Sequence, residues 1–229
     1  MLNRFLQWGS RCLIRLSKIH SRKGMYPFLD RQFDTIPDRS MVLNVGAGGE
    51  IESKLRTQTQ GKKVEVKSLD IDPKRNPDIL ADLHSWTCDQ EFDVVVLAEV
   101  LEHCHTPQLA MDKVKSALRP KGKLILTTPF IFPIHDAPYD YYRFTQFGLA
   151  HLLTGFEDVT ISERNSWSEC ILVLLVRMVM EQSRWARLFS PFLILIAYIL
   201  WPVAWFISQA IKLNHMTTGY CVSAVKGEQ

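Results

Sequence analysis

The chain has 229 residues, enough for one hydrophobic core of ordinary size plus an appendage. Its 27 Lys and Arg residues only slightly outnumber its 24 Asp and Glu residues, so the charge balance does not indicate a nucleic-acid partner. The five cysteines are widely spread and form no C-x-x-C pair, which argues against a disulfide framework and favours reduced thiols in the cytoplasm.

Residues 1–24 predict a basic amphipathic helix. Six basic residues and no acidic one lie between Met1 and Lys23, and apolar residues recur at roughly helical spacing. Arg11 and Arg15 interrupt any apolar run long enough for a secretory signal. Such a helix is typical of contact with an anionic membrane surface, although a helix docked on its own domain gives the same pattern.

The next recognisable feature is a strand followed by a glycine turn. The apolar run Met41–Leu43 leads into Gly46-Ala47-Gly48-Gly49, and a polar, helix-like stretch follows. This order is how doubly wound α/β folds bind nucleotides. A dinucleotide fingerprint would need glycine where Ile51 stands, and no P-loop lysine follows. The turn therefore favours a nucleoside-type ligand without a pyrophosphate, or is a plain tight turn.

Two acidic residues end the next two predicted strands. Asp70 lies near the end of the strand Val64–Ile71, where a carboxylate can accept hydrogen bonds from ribose hydroxyls. Turn chemistry before Pro73 is the alternative for Asp70. Asp82 ends a short strand and can receive an amino group of a base, or it can cap a helix.

Strands and helices continue to alternate along the chain. The predicted strands are Phe92–Leu97, Lys123–Thr128, Gly155–Glu163 and Thr217–Lys226, and Met111–Leu118 is a predicted helix. Alternation at this spacing predicts a parallel sheet with right-handed crossovers.

The ordered segments VLNVGAGGE, SLDIDP, ADL, FDVVVLAEVLEH and LRPKGKLILTTP resemble the class I S-adenosylmethionine-dependent methyltransferases, in particular the type 11 group. The resemblance runs from about Met41 to Thr160, with the strand from Thr217 as the last of the sheet. It implies a doubly wound, Rossmann-like, seven-stranded sheet and S-adenosyl-L-methionine as the cofactor. The hydrophobic segment before the last strand would be an insertion.

The resemblance also implies roles for individual residues. Gly46 and Gly48 would border the methionine part of the cofactor, Asp70 would take the ribose, and Ala98 with Glu99 would lie near the methyl group. Asp82 with Leu83 would meet the adenine. The full set of expected cofactor-binding residues is Asn44, Gly46, Ala47, Gly48, Asp70, Ile71, Asp82, Leu83, Ala98 and Glu99. Asn44 departs from the family, which usually has an acid there; an amide brings no charge to the cofactor's amino group.

The segment Glu102–His105 supplies the first candidate catalytic residue. His103 is a reasonable general base, because the reference pKa of histidine is close to neutral. A structural hydrogen bond is the alternative for His103. We expect no metal at His103, Cys104 and His105, because neighbouring residues on a helix point in different directions.

The loop Pro129–Thr145 is rich in proline, aromatic and polar residues, and it follows a strand at the edge where the cofactor is expected. Loops of this kind often bind ligands. The loop resembles one in bacterial methyltransferases encoded with surface-polysaccharide enzymes, and it suits a sugar or an anionic headgroup. Pairing of Arg143 with Asp140 or Asp136 would instead brace the loop. The candidate catalytic residues here are His135 and Arg143, and the candidate substrate-binding residues are Asp136, Tyr139 and Tyr142.

Residues 166–216 separate the last two predicted strands, and they contain 24 consecutive residues without a formal charge, Leu188–Ile211. That length could span a bilayer. Both flanking strands must share one cytoplasmic sheet, however, so a re-entrant hairpin or a helix lying in one leaflet fits better, with a bend allowed at Pro202. Residues 170–180 form a companion helix in this view. A dimerisation or lid helix of a soluble protein is the rival interpretation.

Together these features predict four regions: the N-terminal helix 1–24, the cofactor-binding core 25–165, the hydrophobic insertion 166–216, and the last strand with the tail, 217–229. We expect a methyltransferase on the cytoplasmic face of a membrane, the bacterial inner membrane, with no nucleic-acid partner. The membrane contacts would be the N-terminal helix and residues 188–211. The expected acceptor is a hydroxyl oxygen of a membrane-linked or amphipathic molecule such as a lipid-linked sugar, with quinone-type lipids second. The competing hypothesis is a non-catalytic cofactor-binding or scaffold protein of a membrane-bound glycan assembly.

Overall fold

The computed structural model describes residues 13–180 and 183–228. The predicted N-terminal helix falls partly outside the described residues, because its first twelve positions are not among them. The helices are α1 (residues 13–21), α2 (Met25–Asp34), α3 (Gly49–Thr59), α4 (Pro107–Ala117), α5 (Gln146–Leu152), α6 (Trp167–Arg177) and α7 (Arg184–Ala210). The strands are β1 (Met41–Val45), β2 (Glu65–Asp70), β3 (Ile79–Leu80), β4 (Phe92–Ala98), β5 (Leu118–Pro129), β6 (Phe156–Glu163) and β7 (Gly219–Lys226). Short 3-10 turns cover Pro73–Arg75, Leu101–His103 and Met178–Met180.

One seven-stranded sheet contains all of these strands in the order β3-β2-β1-β4-β5-β7-β6. Each neighbouring pair from β3 to β5 runs parallel. The order reverses at β1, which lies between β2 and β4. The prediction of a doubly wound, Rossmann-like sheet with a hydrophobic helical insertion before its last strand is confirmed. Ligands bind at such a reversal, beyond the carboxyl ends of the strands.

Strands β6 and β7, at the far edge of the sheet, run antiparallel to each other, so the sheet is mixed. The Ser162 hydroxyl donates to the Cys221 carbonyl at 3.3 Å, and the Arg164 N–H donates to the Gly219 carbonyl at 3.0 Å. Residue numbers rise along β6 while their partners fall along β7, so the two strands are antiparallel. Two strands joined by a helix that crosses over the sheet would be parallel. The segment between β6 and β7 is not such a crossover, so the two strands can pair antiparallel.

The core of the sheet explains why its central strands are apolar throughout. Leu43, Val95, Leu97, Leu124 and Leu126 are completely buried on β1, β4 and β5. Burying each side chain of this size contributes roughly 1.5–3 kcal/mol. This rigid platform fixes the carboxyl ends of β1, β2, β4 and β5 at one edge.

Helix α4 and strand β5 both begin earlier than predicted. Helix α4 begins at Pro107 rather than at Met111, because proline at the first helical position has its φ angle already set for a helix. Strand β5 begins at Leu118 and continues through Pro120, five residues earlier than predicted. A register shift between Phe92 and Val94 accommodates this irregular start.

The described chain divides into two compact units. The core unit comprises residues 27–130, 134–162 and 220–228. The helical unit comprises the described residues up to Tyr26 together with 131–133 and 163–219, and so contains α1, α6 and α7.

Helices α6 and α7 form the body of the helical unit. A capping box starts α6: the Ser166 side chain accepts the Glu169 N–H, and the Glu169 side chain accepts the Ser166 N–H. Helix α7 continues through Pro191 and Pro202, so the turn of the hairpin lies between α6 and α7 rather than within 188–211. The packed residues are Leu172, Val173 and Val176 of α6, with Ile194, Ala197, Trp201 and Ala204 of α7.

Candidate functional site

The glycine turn after β1 is the first part of the site. Gly46, Gly48 and Gly49 have φ angles of 91°, 76° and 74°, a region that L-residues with a side chain rarely adopt. A Cβ atom on Gly46 would lie 2.7 Å from Cγ2 of Val100. A Cβ atom on Gly49 would meet nothing within 4 Å, so the outer side of the turn is open. The backbone there is accessible to a ligand.

Asp70, the last residue of β2, ties the turn to the neighbouring strand. Its Oδ2 accepts the Ala47 N–H at 2.8 Å, and its Oδ1 accepts the Asp72 N–H at 2.8 Å. Arg75 Nε lies 3.7 Å from Oδ2. An ionised carboxylate offers about four acceptor positions, so two backbone N–H groups leave capacity for the two hydroxyls of a ribose. The position and chemistry of Asp70 fit the predicted ribose contact.

Asn44 lies beneath the turn rather than on its open side. The side chain is 1% exposed, and its Nδ2 donates to the Gly46 carbonyl at 2.9 Å. The amide therefore supports the turn by donating this hydrogen bond. An ionised carboxylate at this position could not donate it. Glu52 of α3 adds a second support, since its Oε2 accepts the Gly48 N–H at 2.5 Å.

The predicted adenine-side residues follow β2 and β3. Ile71 is 67% exposed and extends the β2 edge, whereas Leu83 is 6% exposed and belongs to the core. Asp82 Oδ1 accepts the His84 backbone N–H at 3.0 Å and lies 2.8 Å from His84 Nδ1. The hydrogen bonds and charge from His84 lower the pKa of Asp82. Asp82 thus caps a turn rather than the helix considered from sequence, and its carboxylate is still partly exposed.

Ala98 and Glu99 lie where β4 ends. Ala98 is the last residue of the strand and is 8% exposed. Glu99 has a φ angle of 57°, its N–H donates to the Thr127 carbonyl at 2.9 Å, and its Oε1 accepts from the Thr127 hydroxyl at 3.0 Å. A positive φ angle at a residue other than glycine is costly and occurs often at functional sites.

These features are compatible with S-adenosylmethionine. The open glycine turn can receive the methionine part, Asp70 has acceptor capacity for a ribose diol, and Glu99 ends the adjacent strand. All three lie at the carboxyl ends of neighbouring parallel strands.

A second group of side chains is built on the 3-10 turn Leu101–His103, directly after Glu99. Glu102 is completely buried, and its Oε2 accepts from the Thr128 hydroxyl at 3.3 Å. Its Oε1 lies 3.8 Å from Nε2 of His103 and 3.8 Å from Nε2 of His135. The structure therefore brings together two predicted catalytic residues that are 32 positions apart in sequence.

Arg143 forms an ion pair with Asp140 of the same loop. Its two terminal nitrogens lie 2.5 and 2.6 Å from the two Asp140 oxygens, and the Asp140 side chain is 1% exposed. Burial alone would raise the pKa of Asp140. The hydrogen bonds from Arg143 and from the His135 N–H outweigh burial and lower this pKa to about 2. Of the two bracing pairs considered from sequence, the one with Asp140 is present.

The predicted substrate-binding residues surround this group. Tyr139 is 64% exposed, its N–H donates to the Asp136 carbonyl at 3.1 Å, and its own carbonyl lies 2.8 Å from His103 Nδ1. The Tyr142 hydroxyl donates to the His105 carbonyl at 3.1 Å. Asp136 has a φ angle of 52° and an exposed side chain. The exposed ring of Tyr139 is available to a substrate, while its backbone positions His103.

Sequence reasoning did not include Glu102 or Asp140 among the candidate site residues. Glu102 reads as one acid among several in a short polar turn, and only folding shows that its carboxylate is buried between two histidines. Asp140 was considered only as a partner of Arg143, yet its Oδ2 also accepts the His135 N–H at 2.9 Å. The adjacent residues Glu102 and His103 were the available signal for this group in the sequence. Its third member, His135, lies on a distant loop.

His105, by contrast, belongs to a different cluster. It stacks on His84 with ring centroids 4.1 Å apart, and the cluster includes Asp82. Cys104 between the two histidines is buried, and burial raises the pKa of its thiol to about 12. His103, Cys104 and His105 therefore do not converge, as the sequence predicted.

Comparison with known proteins agrees with this geometry. A family model described as a methyltransferase domain matches residues 18–163, more than half of the chain. The ubiquinone biosynthesis O-methyltransferase of Hydrogenovibrio crunogenus is 28% identical over 111 residues, covering 43% of this chain and 46% of that protein.

Solved structures share the fold at low sequence identity. A SAM-dependent methyltransferase from Archaeoglobus fulgidus has a TM-score of 0.59 and 14% identity, covering 90% of this chain and 95% of that one. Phosphoethanolamine N-methyltransferase 2 of Haemonchus contortus, in complex with phosphomonomethylethanolamine and S-adenosylhomocysteine, has a TM-score of 0.58 and 16% identity, covering 90% and 52%. The chain thus spans about half the length of the Hydrogenovibrio and Haemonchus proteins.

The family match runs across the glycine turn, Asp70 and the Glu102–His103 turn, and it ends at the last residue of β6. The chain therefore belongs to the methyltransferase-domain family, whose cofactor is S-adenosylmethionine.

Proposed function

We propose that this protein transfers a methyl group from S-adenosylmethionine to a hydroxyl oxygen of an amphipathic, membrane-linked acceptor. The observation that carries the proposal is the Glu102–His103–His135 group, which directly follows Glu99, where we expect the reactive end of the cofactor. A lipid-linked sugar is the first candidate acceptor, and a quinone-type lipid is the second.

The bound cofactor supplies an electrophilic methyl group on a sulfonium sulfur. The acceptor oxygen loses its proton and bonds to the methyl carbon, while the carbon–sulfur bond breaks and its electron pair stays on sulfur. The protein must align the acceptor and provide a route for that proton. Nε2 of His103 is the candidate proton acceptor, because Nδ1 is oriented by the Tyr139 carbonyl at 2.8 Å.

The loop after β5 supports an acceptor that is partly apolar and partly polar. Ile134, Tyr139 and Tyr141 are 79%, 64% and 46% exposed, so apolar faces lie beside charged groups of the same loop. Amphipathic rings of this kind suit sugars and headgroups. The Hydrogenovibrio relative is named as an O-methyltransferase of ubiquinone biosynthesis, which supports oxygen as the methylated atom and supports the quinone alternative. The loop's resemblance to type 11 enzymes of polysaccharide synthesis supports the sugar.

The outer face of α7 supports a membrane location. Residues Leu188–Ala210 form a helix long and apolar enough to cross a membrane by length and composition, and only 28% of its most apolar window is buried. Phe192, Ile199 and Phe206 are 61%, 65% and 67% exposed. A core helix would bury such residues, whereas a large exposed apolar patch marks an interaction surface. We propose that the patch lies in one leaflet of the bacterial inner membrane, on its cytoplasmic side.

Contacts within the helical unit support an in-plane helix rather than a spanning one. Lys23 Nζ lies 3.1 Å from Glu169 Oε1, and the Tyr198 hydroxyl donates to the Leu16 carbonyl at 3.2 Å. These contacts tie α1 and the turn that follows it to α6 and α7. A helix that packs on its own unit on one side and exposes apolar side chains on the other suits the interface of a bilayer.

Vesicle flotation tests the membrane proposal. We expect the full chain to float with vesicles of phosphatidylethanolamine and phosphatidylglycerol, and the triple variant Phe192→Ser, Ile199→Ser, Phe206→Ser to stay largely unbound. Phe147→Ser is the matched control, since Phe147 is 73% exposed on α5 of the core unit. Equal flotation of the triple variant and the wild type would contradict the proposal, as would lipid-independent dimers that do not float.

A label-transfer assay tests the reaction. Protein in mixed micelles, with methyl-labelled cofactor and lipid extract from bacterial membranes, should place label in the lipid fraction, and alkaline treatment should leave an ether-linked methyl in place. A methyl ester would be cleaved by that treatment. Cofactor binding without any label transfer would favour the competing scaffold hypothesis, to which the neutral Asn44 gives some support.

A further inference from the structure

Three side chains of the core unit converge on one small volume. Glu102, His103 and His135 each offer one possible ligand atom, and these atoms lie within 4.8 Å of one another. Glu102 Oε1 is 3.8 Å from each histidine nitrogen. The two imidazole rings meet edge to face, with centroids 5.0 Å apart and planes inclined by 77°. Metal–nitrogen and metal–oxygen bonds of about 2.1 Å hold neighbouring ligand atoms roughly 3–4 Å apart, so small side-chain shifts would close this group around an ion.

A hydrogen bond behind His103 orients its lone pair toward the centre, and a carboxylate lies near the corresponding nitrogen of His135. His103 Nδ1 lies 2.8 Å from the Tyr139 carbonyl, which can only accept, so Nδ1 carries the hydrogen and Nε2 the lone pair. His135 Nδ1 lies 3.4 Å from Oδ2 of Asp140, a buried carboxylate, which favours the same tautomer. Metal-binding histidines characteristically donate their other N–H to a carbonyl or carboxylate in this way.

Burial of Glu102 supplies the charge argument. An ionised carboxylate that is completely buried needs positive charge nearby. Arg143 contributes part of it, since Glu102 is among the acids that raise the pKa of Arg143, after the hydrogen bond to Asp140. A cation held by Glu102 and the two histidines would add to this positive charge.

The geometry points to a divalent transition-metal site formed by Glu102, His103 and His135. One carboxylate and two imidazoles form a ligand set typical of Zn²⁺, Mn²⁺, Fe²⁺ and Co²⁺, and three protein ligands leave positions open for water or substrate. The sequence-based expectation of no metal considered His103, Cys104 and His105, which do not meet; the site uses a different set.

The role of the ion rests on the proposed function. An acceptor hydroxyl in an open position would be oriented next to Glu99, and its pKa would fall, so that its proton can pass to solvent water. His103 would then act as a ligand instead of a general base. The ion would also favour acceptors whose oxygen can bind a metal, such as sugars or phenols.

The cluster Asp82, His84 and His105 is less suitable for an ion. Its two rings are stacked within 10° of parallel, so their lone pairs lie in separate planes. His84 uses both ring nitrogens, with Nδ1 on Asp82 at 2.8 Å and Nε2 accepting the Thr106 N–H at 3.4 Å. This cluster provides the control.

Titration of chelator-treated full-length protein with Co²⁺ tests the site, because cobalt bound to nitrogen and oxygen ligands gives visible absorption. We expect one ion per chain in the wild type and in His105→Ala. We expect His135→Ala to bind at least tenfold more weakly, and Asp140→Asn to bind more weakly by roughly 10- to 100-fold. His135 is 29% exposed and lies on a loop, so its alanine variant is expected to fold.

Two results would overturn the inference: no cobalt binding below millimolar concentration by folded wild type, or binding lost in His105→Ala and kept in His135→Ala. Circular dichroism verifies folding of each variant. Calorimetric binding of S-adenosylhomocysteine to the same samples separates the two proposals. Cofactor binding without metal binding would overturn only the metal site, whereas absence of cofactor binding would contradict the proposed function itself.

Discussion

The carboxylate of Asp70 accepts the backbone N–H of Ala47 at 2.8 Å. This bond joins the end of β2 to the glycine turn after β1, so two parts of the cofactor site are held as one structure. Arg75 reinforces the junction, since its Nη1 donates to the Ala47 carbonyl at 3.1 Å. A cofactor that bridges Asp70 and the turn would therefore find both parts already in place, which reduces the ordering cost of binding.

Gly46→Ala should destabilise the core unit. The φ angle of 91° is unfavourable for alanine, and the new Cβ would lie 2.7 Å from Val100 Cγ2. We expect a loss of about 1–3 kcal/mol in the free energy of unfolding, together with weaker cofactor binding. Gly61→Ala is the matched control, because its Cβ would meet nothing within 4 Å and its φ angle is not positive. Chemical denaturation measures the free energy of unfolding of each variant. Equal stabilities for Gly46→Ala and Gly61→Ala would contradict the account.

Arg143→Ala should leave Asp140 as a buried, uncompensated charge. Breaking a buried ion pair from one side costs about 3–5 kcal/mol, and the 23% exposure of Arg143 puts the expected value toward the lower end. Arg39→Ala is the control, since Arg39 pairs only at 3.6 Å with Asp38 and both are mostly exposed. Its expected cost is below about 0.5 kcal/mol. Thermal unfolding of the two variants compares the costs, and a harmless Arg143→Ala would show that the loop is braced elsewhere.

Glu169 should make the stability of the helical unit depend on pH. Burial raises its pKa, but hydrogen bonds from Lys23 and Ser166 outweigh burial and bring the pKa below the usual value. A lowered folded-state pKa means that the ionised form stabilises the protein above the unfolded pKa of about 4.3, and that this stability is lost as the pH falls through the folded value.

The Glu169→Gln variant should therefore be less stable than the wild type at pH 7 and should lose less stability on acidification. Tryptophan fluorescence monitors the transition, because Trp201 Nε1 donates to Glu169 Oε1 at 3.1 Å. Glu157→Gln, which affects an exposed pair with Lys121, is the control and should follow the wild type. If Glu169→Gln showed the same acid transition as the wild type, the Lys23–Glu169 pair would not be the origin of the pH dependence.

Cys104 should resist alkylation in the folded protein. The thiolate is the reactive form, and burial raises the Cys104 pKa to about 12, so almost none is ionised at pH 8. Cys88 is only half-buried and should react faster. Iodoacetamide labelling followed by peptide mass spectrometry measures both rates. Rapid native labelling of Cys104 would contradict the burial of the turn after β4, whereas labelling only in denaturant is expected.

Much of the fold could be predicted from sequence because local patterns agree with it. Buried runs such as Val94–Leu97 and the turn residues at Gly46 and Gly48 specify strands and a tight connection without knowledge of distant contacts. The start of β5 at Leu118 was not predicted, because Pro120 and Gly122 are typical of a turn.

The site was predictable where one motif contains the whole feature, as with the turn and the position of Asp70. It was not predictable where distant segments meet. Glu102 and His135 are brought together only by the path of the loop after β5, and the amide of Asn44 supports the Gly46 carbonyl in a way that residue type alone does not reveal.

Calorimetric titration of S-adenosylmethionine into detergent-solubilised protein tests the central claim most directly. Wild type should bind with micromolar affinity, and Asp70→Ala should bind at least about tenfold more weakly, because charge-assisted hydrogen bonds contribute about 1.5–3 kcal/mol each. Asp72→Ala is the matched control: Asp72 caps the Lys74 N–H and should not affect the ribose. Asp70→Asn, which keeps an acceptor for Ala47, should also weaken binding. Failure of the folded wild type to bind, or equal binding by wild type and Asp70→Ala, would contradict the account.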